Sequence, residues 1–324
     1  MIKNFLDKTV KDIPFTSPHG SYEGKVRHVY DDAGGNKLLV TTDRLTAFDR
    51  QITTVPFKGQ VLTQLSRFWF EETANICPNH VIDYPDPRVV VCKNLKMLPV
   101  ELVVRGYLAG STGTSILTMY KNGERDMYGA TFPDGMMDNQ KLDEPIITPT
   151  TKAAVGDHDA PLSAEQIVSE NILPADVWEQ VSGYALALFK RGQEIAAKAG
   201  LILADTKYEF GFDENGVLTL GDEIHTPDSS RYWMADSYDS RVQAGEAPVT
   251  LDKDQVRRWV VARCDPYKDD LPDIPDDLRV ATAEVYIDVY EKITGEKFNF
   301  PDNDSNPEKS VLDTLKNIID KKAA

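Results

Sequence analysis

The sequence predicts an α+β fold with antiparallel sheets and C-terminal helices. Three observations predict it: an early hairpin pattern at residues 22–42, a second hairpin pattern at residues 201–223, and helical periodicity that closes the chain. The order of these patterns places a β-rich N-terminal lobe at residues 1–100. Residues 101–324 are expected to form a larger α+β lobe whose last part is helical.

In the first lobe, the runs YEGKVRHVY and KLLVTT are rich in strand-forming residues, and DDAGGN between them has turn chemistry. Residues 58–72 carry apolar side chains at helical spacing, which predicts an amphipathic helix. Strands are expected at 88–92 and 100–105, followed by a short helix at about 113–121.

Residues 123–162 are rich in Gly, Pro, Asp and Thr and show weak periodicity, which predicts a long ordered loop of the kind that is usually functional. Residues 175–198 predict a long helix that Gly200 terminates. After the second hairpin, helices are expected near 252–263, 276–294 and 308–321.

Composition limits the possible partners. The 324 residues carry a formal net charge of −16, which argues against nucleic acid as a ligand. The N-terminus lacks the apolar run of a signal peptide, no stretch is long enough for a membrane span, and the three cysteines lack metal-site spacing. These features predict a cytoplasmic protein that acts on small molecules. Neither GxGxxG nor a Walker A motif occurs, so any bound ATP needs another type of site.

The run LILADTKYEFG at residues 201–211 is the most informative segment. Alternate residues of a strand share a face, so Asp205, Lys207 and Glu209 are expected on one side. Three charges in an otherwise apolar strand are unfavourable unless they are paired. A solvated, exposed face is the alternative, but the flanking apolar residues favour burial.

The expected turn sets the register of this hairpin. If Asn215 and Gly216 form a two-residue loop, Glu209 lies opposite Asp222. Facing carboxylates repel each other in a sheet, and such a pair suits Mg²⁺, which binds carboxylates together with phosphate oxygens. The sequence therefore predicts a metal site at Glu209 and Asp222.

Several corners of the chain combine a basic residue with Gly or Ser. Arg105 precedes a glycine-punctuated segment that reaches Ser111, and Arg231 ends GDEIHTPDSSR at residues 221–231. Both segments suit an anion, although a turn with an Asp cap or an arginine bonded to nearby carbonyls explains each equally well. Further candidate anion contacts are Lys25, Lys58, Lys152 and His158, the last of which also suits a surface position.

Together these segments closely resemble the phosphoribosylaminoimidazole-succinocarboxamide synthase (SAICAR synthetase) family. The matching segments are GKVR (24–27), TTDRLTAFD (41–49), KGQVLTQLSRFWF (58–70), MLPVELVVRGYLAGS (97–111), ITPTTKAAVGDHD (147–159), LILADTKYEFG (201–211) and GDEIHTPDSSR (221–231). The resemblance implies a two-lobed, ATP-grasp-like fold with a nucleotide-binding N-terminal lobe and a larger lobe for substrate and metal. It also implies an ATP-dependent ligase that condenses L-aspartate with carboxyaminoimidazole ribotide (CAIR), as a monomer or homodimer.

The resemblance also implies roles for individual residues. Lys207, Asp205 and Lys25 would be catalytic, and Glu209 and Asp222 would hold Mg²⁺. ATP would contact Lys25, Arg27, Met97, Glu101 and Glu209. The ribotide would contact Arg105, Ser111, Asp205, Lys207, Asp228, Ser230 and Arg231. Two rival functions are a small-molecule kinase, which would release ADP without aspartate, and a non-catalytic nucleotide-binding module, which would turn over no ATP.

Overall fold

A computed structural model describes residues 1–48, 50–152 and 160–319. The chain divides into two compact units. The first comprises Met1–Phe68, His80–Asn94 and the chain from Leu251 onward, and the second comprises Trp69–Asn79 and Leu95–Thr250. This division differs from a single boundary near residue 100, because the C-terminal helices pack with the N-terminal strands.

The first unit is built on antiparallel strands. Its strands are β1 (Ser21–Glu23), β2 (Arg27–Asp31), β3 (Lys37–Thr41), β4 (Arg44–Ala47), β5 (Arg50–Thr54), β6 (Val81–Asp86) and β7 (Val89–Cys92). Five of them form a sheet in the order β1-β2-β3-β7-β6, and β4 pairs with β5. The predicted hairpin at 22–42 is confirmed as β2–β3, and β1 adds a second, tighter hairpin in front of it.

Helices complete the first unit. They are α1 (Lys58–Glu72), which continues into the second unit, α6 (Asp254–Val261), α7 (Asp276–Thr294) and α8 (Pro307–Ile319). A 3-10 helix at Ile2–Lys8 precedes the first strand. Val311, Leu315 and Ile319 of α8 pack in one buried cluster with Leu38 and Val40 of β3. This packing explains why the C-terminal helices belong to the N-terminal sheet.

The second unit is organised around one long strand. Its strands are β8 (Lys96–Met97), β9 (Val100–Tyr107), β10 (Asp126–Met127), β11 (Ala130–Thr131), β12 (Lys141–Thr151), β13 (Leu201–Phe212), β14 (Leu218–Gly221) and β15 (Ser230–Met234). The main sheet runs β12-β9-β13-β14, and β8 and β15 also pair with β13. The helices are α2 (Ile116–Lys121), α3 (Ala164–Ser169), α4 (Ala175–Lys198) and α5 (Ala235–Gln243).

Strand β12 corrects the prediction of a long loop at 123–162. It pairs with β9 from Lys141 to Thr151, with an irregularity between Lys141 and Ile146. Proline removes a ladder donor and argues against a central strand, but β12 lies at the edge of its sheet, where its two prolines are tolerated. The pairing partner β9 therefore stabilises a strand that local propensity does not predict.

Other predictions are confirmed. Helices α1 and α4 have the expected bounds, and Gly200 adopts the left-handed conformation (φ 72°) just after α4. The α+β class with antiparallel sheets and C-terminal helices is also confirmed. Within the described part of the chain, no helix combines the length and apolarity needed to cross a bilayer.

Candidate active site

Strand β13 carries a row of charged side chains on one side of its sheet. Asp205 lies opposite Arg105 of β9, and Lys207 lies opposite Val103. Because strand side chains alternate, the same side carries the residues that we call the charged face: Glu101, Arg105, Asp205, Lys207, Glu209 and Arg231. The predicted grouping of Asp205, Lys207 and Glu209 is confirmed.

The opposite side of β13 is apolar. Its residues, which we call the buried face, are Ala204, Thr206, Tyr208 and Phe210, each at most 1% exposed. The charged residues Asp205 and Glu209 are also buried, at 6% and 8% exposed. Charges at such depth need partners, and the contacts of the charged face supply them.

Asp205 holds two arginines together. Its Oδ2 accepts a hydrogen bond from Nη1 of Arg105 at 2.8 Å and another from Nη1 of Arg231. Nε of Arg105 donates to Oγ1 of Thr148 at 3.0 Å, which fixes the guanidinium plane. Burial lowers the pKa of Arg105 and the Asp205 carboxylate opposes that shift. The group has one more cation than anions, so it can bind an anion through its remaining N–H donors.

Lys207 sits among carboxylates one step further along the strand. Its Nζ donates to Oε1 of Glu209 at 2.6 Å and to Oε1 of Glu101 at 3.0 Å. The carboxylate of Asp222 also stabilises its charge. Burial would lower the pKa of Lys207, but these three carboxylates outweigh burial and raise it. Lys207 is therefore protonated at neutral pH.

Glu209 is bound by two ammonium groups. Lys207 contacts Oε1, and Nζ of Lys152 contacts Oε2 at 2.5 Å. Burial would raise the pKa of Glu209, but the two lysines outweigh it and lower the pKa to about 2. The expected repulsion between bare carboxylates is thus absent, because ammonium groups already compensate Glu209.

The predicted register of the β13–β14 hairpin is wrong by one residue. Glu209 pairs with Gly221, and Phe212 pairs with Leu218. The loop contains three residues rather than two: only Gly216 has a positive φ (75°), and its N–H donates to the carbonyl of Asp213. The Asp213 carboxylate accepts from the N–H groups of Asn215 and Val217 at 3.0 Å, which stabilises this turn over the two-residue type.

Asp222 nevertheless comes near the charged face. It follows the last residue of β14 and has a left-handed φ of 56°, so the strand alternation ends there. The Asp222 carboxylate raises the pKa of Lys207, as the Glu209 carboxylate does, so both belong to the group of carboxylates around Lys207. Glu209 and Asp222 are not paired across the hairpin as predicted, but both carboxylates act on Lys207.

Two predicted substrate contacts of the segment 221–231, Ser230 and Arg231, lie on opposite faces of the sheet. Arg231 points to the charged face, whereas Oγ of Ser230 lies 2.8 Å from Oγ1 of Thr206 on the buried face. The N–H groups of Ser229 and Ser230 donate to the carbonyl of Thr226, and that of Asp228 donates to its Oγ1. The structure thus unites Arg231 with Arg105 and places the Ser230 hydroxyl elsewhere.

The corner after β9 brings backbone close to Arg105. Gly110 has φ 120°, and a Cβ there would lie 2.2 Å from Cβ of Ser115 and 3.4 Å from Nη1 of Arg105. Only glycine allows this approach. Ser111 follows in an exposed position.

Met97 borders the far end of the charged face. It pairs with Gly211 of β13, and a Cβ built on Gly221 would lie 3.6 Å from its Cε. Met97 therefore packs beside the backbone that leads into Asp222. Glu101, the other predicted ATP contact on this side, is bonded to Lys207.

Lys25 and Arg27 belong to the first unit, at the tight β1–β2 turn. The N–H of Gly24 donates to the carbonyl of Arg27 at 2.8 Å, and Arg44 donates to the carbonyl of Gly24 at 2.9 Å. Thr42 donates to the carbonyl of Val26 at 2.6 Å. These bonds fix the base of the turn, and Lys25 remains exposed at its tip.

His225 is a residue that sequence reasoning missed. It is fully buried beneath the buried face, has φ 50°, and its Nε2 lies 2.5 Å from the Tyr208 hydroxyl. Tyr232 donates to its carbonyl at 2.7 Å. Burial lowers its pKa to about 3. The spacing of residues in the sequence could not identify His225, because its side chain packs inside the protein and does not face a ligand. His158 lies outside the described residues.

Most of the chain matches a known family. Residues 20–274 fit the family described as SAICAR synthetase. The chain belongs to the SAICAR synthetase family. A relative from Agrobacterium fabrum with the provisional name of a phosphoribosylaminoimidazole-succinocarboxamide synthase is 62% identical over 286 residues, 88% of this chain and 90% of its own.

Two solved members of the SAICAR synthetase family have similar structures. SAICAR-synthase from Saccharomyces cerevisiae, complexed with SAICAR, is 32% identical with a TM-score of 0.75, over 89% of this chain and all of that one. A type-2 SAICAR synthetase in complex with ADP is 26% identical with a TM-score of 0.65, over 87% of this chain and all of the other. The chain is accordingly an ATP-dependent ligase of de novo purine biosynthesis, and the kinase and the non-catalytic module are disfavoured.

Proposed function

We propose that the charged face is where this ligase joins L-aspartate to CAIR, giving SAICAR, ADP and phosphate. The observation that carries the proposal is the adjacency of two groups on β13: an arginine pair held by Asp205, and a lysine held by carboxylates. The first group suits a phosphomonoester. The second suits a site where negative charge accumulates during phosphoryl transfer.

Arg105 and Arg231 are proposed to bind the ribotide phosphate. Asp205 would act through them, since its carboxylate sets the spacing of the two guanidinium groups. The resemblance implies that Asp205 is catalytic and contacts the ribotide; we propose instead that it positions the two arginines, and that Lys207 faces the carboxylate of CAIR. Ser111, Asp228 and Ser230 stay predicted substrate contacts, and the Ser230 hydroxyl would need to leave Thr206 to serve as one.

Glu209 and Asp222 are proposed to hold Mg²⁺. The donor set fits, because carboxylate oxygens are hard ligands and the three carboxylates around Lys207 outnumber the two ammonium groups, Lys207 and Lys152, that face them. The ion would screen the phosphate charge when bound. Lys25 and Arg27 are proposed to contact ATP phosphates, and Met97 and Glu101 remain predicted ATP contacts.

The proposed reaction has two steps. The CAIR carboxylate attacks the γ-phosphorus of ATP, the bond to the ADP oxygen breaks, and an acyl phosphate forms. The aspartate amine then attacks the acyl carbon, phosphate leaves with the bonding electron pair, and the nitrogen loses a proton to give the amide. Lys207, protonated at neutral pH and beside the reacting carboxylate, would stabilise the charge that develops in both steps.

The test compares two arginines of the second unit. Arg231→Ala should raise the KM for CAIR about 10- to 150-fold, since a lost charge-assisted bond costs about 1.5–3 kcal/mol, and should leave the KM for ATP nearly unchanged. Arg125→Ala is the matched control, because Arg125 is similarly exposed but pairs with Asp134 away from the charged face. Equal rises in both KM values for Arg231→Ala would contradict the assignment. The cytoplasmic location and the monomeric or homodimeric state remain predictions.

A further inference from the structure

Lys152 makes a contact that the proposed reaction does not explain. It directly follows β12, and its N–H donates to the carbonyl of Pro99 at 3.2 Å. Its ammonium group lies 2.5 Å from Oε2 of Glu209. This backbone hydrogen bond places the side chain of Lys152 at the end of the charged face where Glu209 lies.

The two lysines on Glu209 are held differently. Lys207 binds Glu101 as well as Glu209, is stabilised by Asp222, and has a side chain 31% exposed. The side chain of Lys152 is 41% exposed, and its ion pair among the described residues is with Glu209. Lys152 is therefore the ammonium group that can leave Glu209 with less disruption.

Both oxygens of Glu209 are capped by these ammonium groups, one on each. A cation that binds this carboxylate must displace one of them, because like charges at such short range repel strongly. We infer that Lys152 holds Oε2 of Glu209 as a stand-in cation and releases it when metal and nucleotide bind. This inference rests on the proposed metal role of Glu209.

The exchange would couple metal to nucleotide. Without nucleotide, the metal competes with an ammonium group already paired to Glu209, so it binds weakly. When a nucleotide is present, its phosphates offer the displaced ammonium group a new anionic partner, so displacement becomes easier. Lys152 thereby makes the binding of metal and nucleotide mutually dependent, as linkage requires of any such coupling.

The probe is Mn²⁺, which accepts the same hard oxygen ligands and is counted by its electron paramagnetic resonance signal. In nucleotide-free protein, Lys152→Met should bind Mn²⁺ about tenfold more tightly than the unsubstituted chain. ADP should then increase the Mn²⁺ affinity of this variant less than it does for the unsubstituted chain. Lys152→Gln is a second variant with the same expectation.

Two controls separate the possible failures. Lys141→Met removes the same charge from an exposed position at the other end of β12 and should leave Mn²⁺ affinity unchanged. Glu209→Gln should weaken binding. If Glu209→Gln weakens binding while Lys152→Met does not tighten it, or if Lys141→Met tightens it equally, the role of Lys152 is overturned and the metal site stands. If Glu209→Gln leaves Mn²⁺ affinity unchanged, the metal role of Glu209 itself is overturned.

Discussion

Both faces of β13 contain side chains that are almost inaccessible to solvent, but these side chains are stabilised in different ways. On the buried face, Tyr208 and Phe210 are fully enclosed by other side chains. On the charged face, Asp205 and Glu209 are nearly as inaccessible, yet each contacts two cations. The buried face is therefore stabilised by close packing, and the charged face by ion pairs.

Substitutions on the buried face and on the charged face are therefore expected to act differently on stability and on activity. A change in side-chain volume on the buried face disturbs its packing whether or not substrate is bound. Ion pairs of the charged face can be rearranged by charged ligands, so their removal should act first on catalysis.

The largest effect is expected for Glu209→Gln. We expect kcat to fall by at least about 100-fold, because the site loses a carboxylate that holds Lys207 and is proposed to bind metal. The free energy of unfolding should fall by about 1–3 kcal/mol, since Lys152 and Lys207 lose a countercharge. Steady-state kinetics and urea unfolding measure both. A more stable variant would indicate that repulsion between carboxylates dominates after all.

A volume change under the buried face should act on stability alone. A Cβ on Gly192 of α4 would lie 2.5 Å from Cε1 of His225 and 2.7 Å from Cδ2 of Leu203. Gly192→Ala should therefore lower the free energy of unfolding by about 1–3 kcal/mol. Gly183→Ala, in the same helix with open space around it, should raise that free energy by about 0.5–1 kcal/mol. Similar urea midpoints for the two variants would contradict the packing.

His225 predicts a pH dependence of stability. Its pKa is about 3 in the folded protein and near 6.5 when unfolded, so the unfolded chain binds more protons between these values. Stability should fall as pH drops below 6.5, by up to about 1.4 kcal/mol per unit from this group. His225→Gln should flatten that dependence, and His19→Gln, at an exposed position, should not. Unfolding curves between pH 7 and pH 4 provide the measurement.

The smallest effect on turnover is expected for the cysteines. Burial raises the pKa of Cys77 to about 12, so its thiol stays protonated and unreactive. The thiols of Cys92 and Cys264 donate to backbone carbonyls away from the charged face. A triple Cys→Ser variant should keep its kcat and lose some stability, because hydroxyl groups replace buried thiols. Loss of turnover in a folded triple variant would refute this.

The sequence predicts best those parts of the structure that strand alternation or helical periodicity governs. The grouping of Asp205, Lys207 and Glu209 follows from the two-residue period of a strand, and the bounds of α4 follow from its apolar stripe. The register of β13–β14 could not be predicted from Asn215 and Gly216, because the Asp213 carboxylate selects the longer loop. Strand β12 and the role of Lys152 depend on pairing with distant segments, which local sequence does not encode.

Whether ADP release depends on aspartate is the most direct test of the proposed ligase reaction. Purified protein receives ATP, Mg²⁺ and CAIR, with and without L-aspartate, and ADP and SAICAR are quantified together. We expect sustained ADP release only when aspartate is present, with one SAICAR formed for each ADP, and we expect Glu209→Gln to slow the formation of both by at least about 100-fold. Sustained ADP release at an equal rate without aspartate would contradict the proposed ligase reaction.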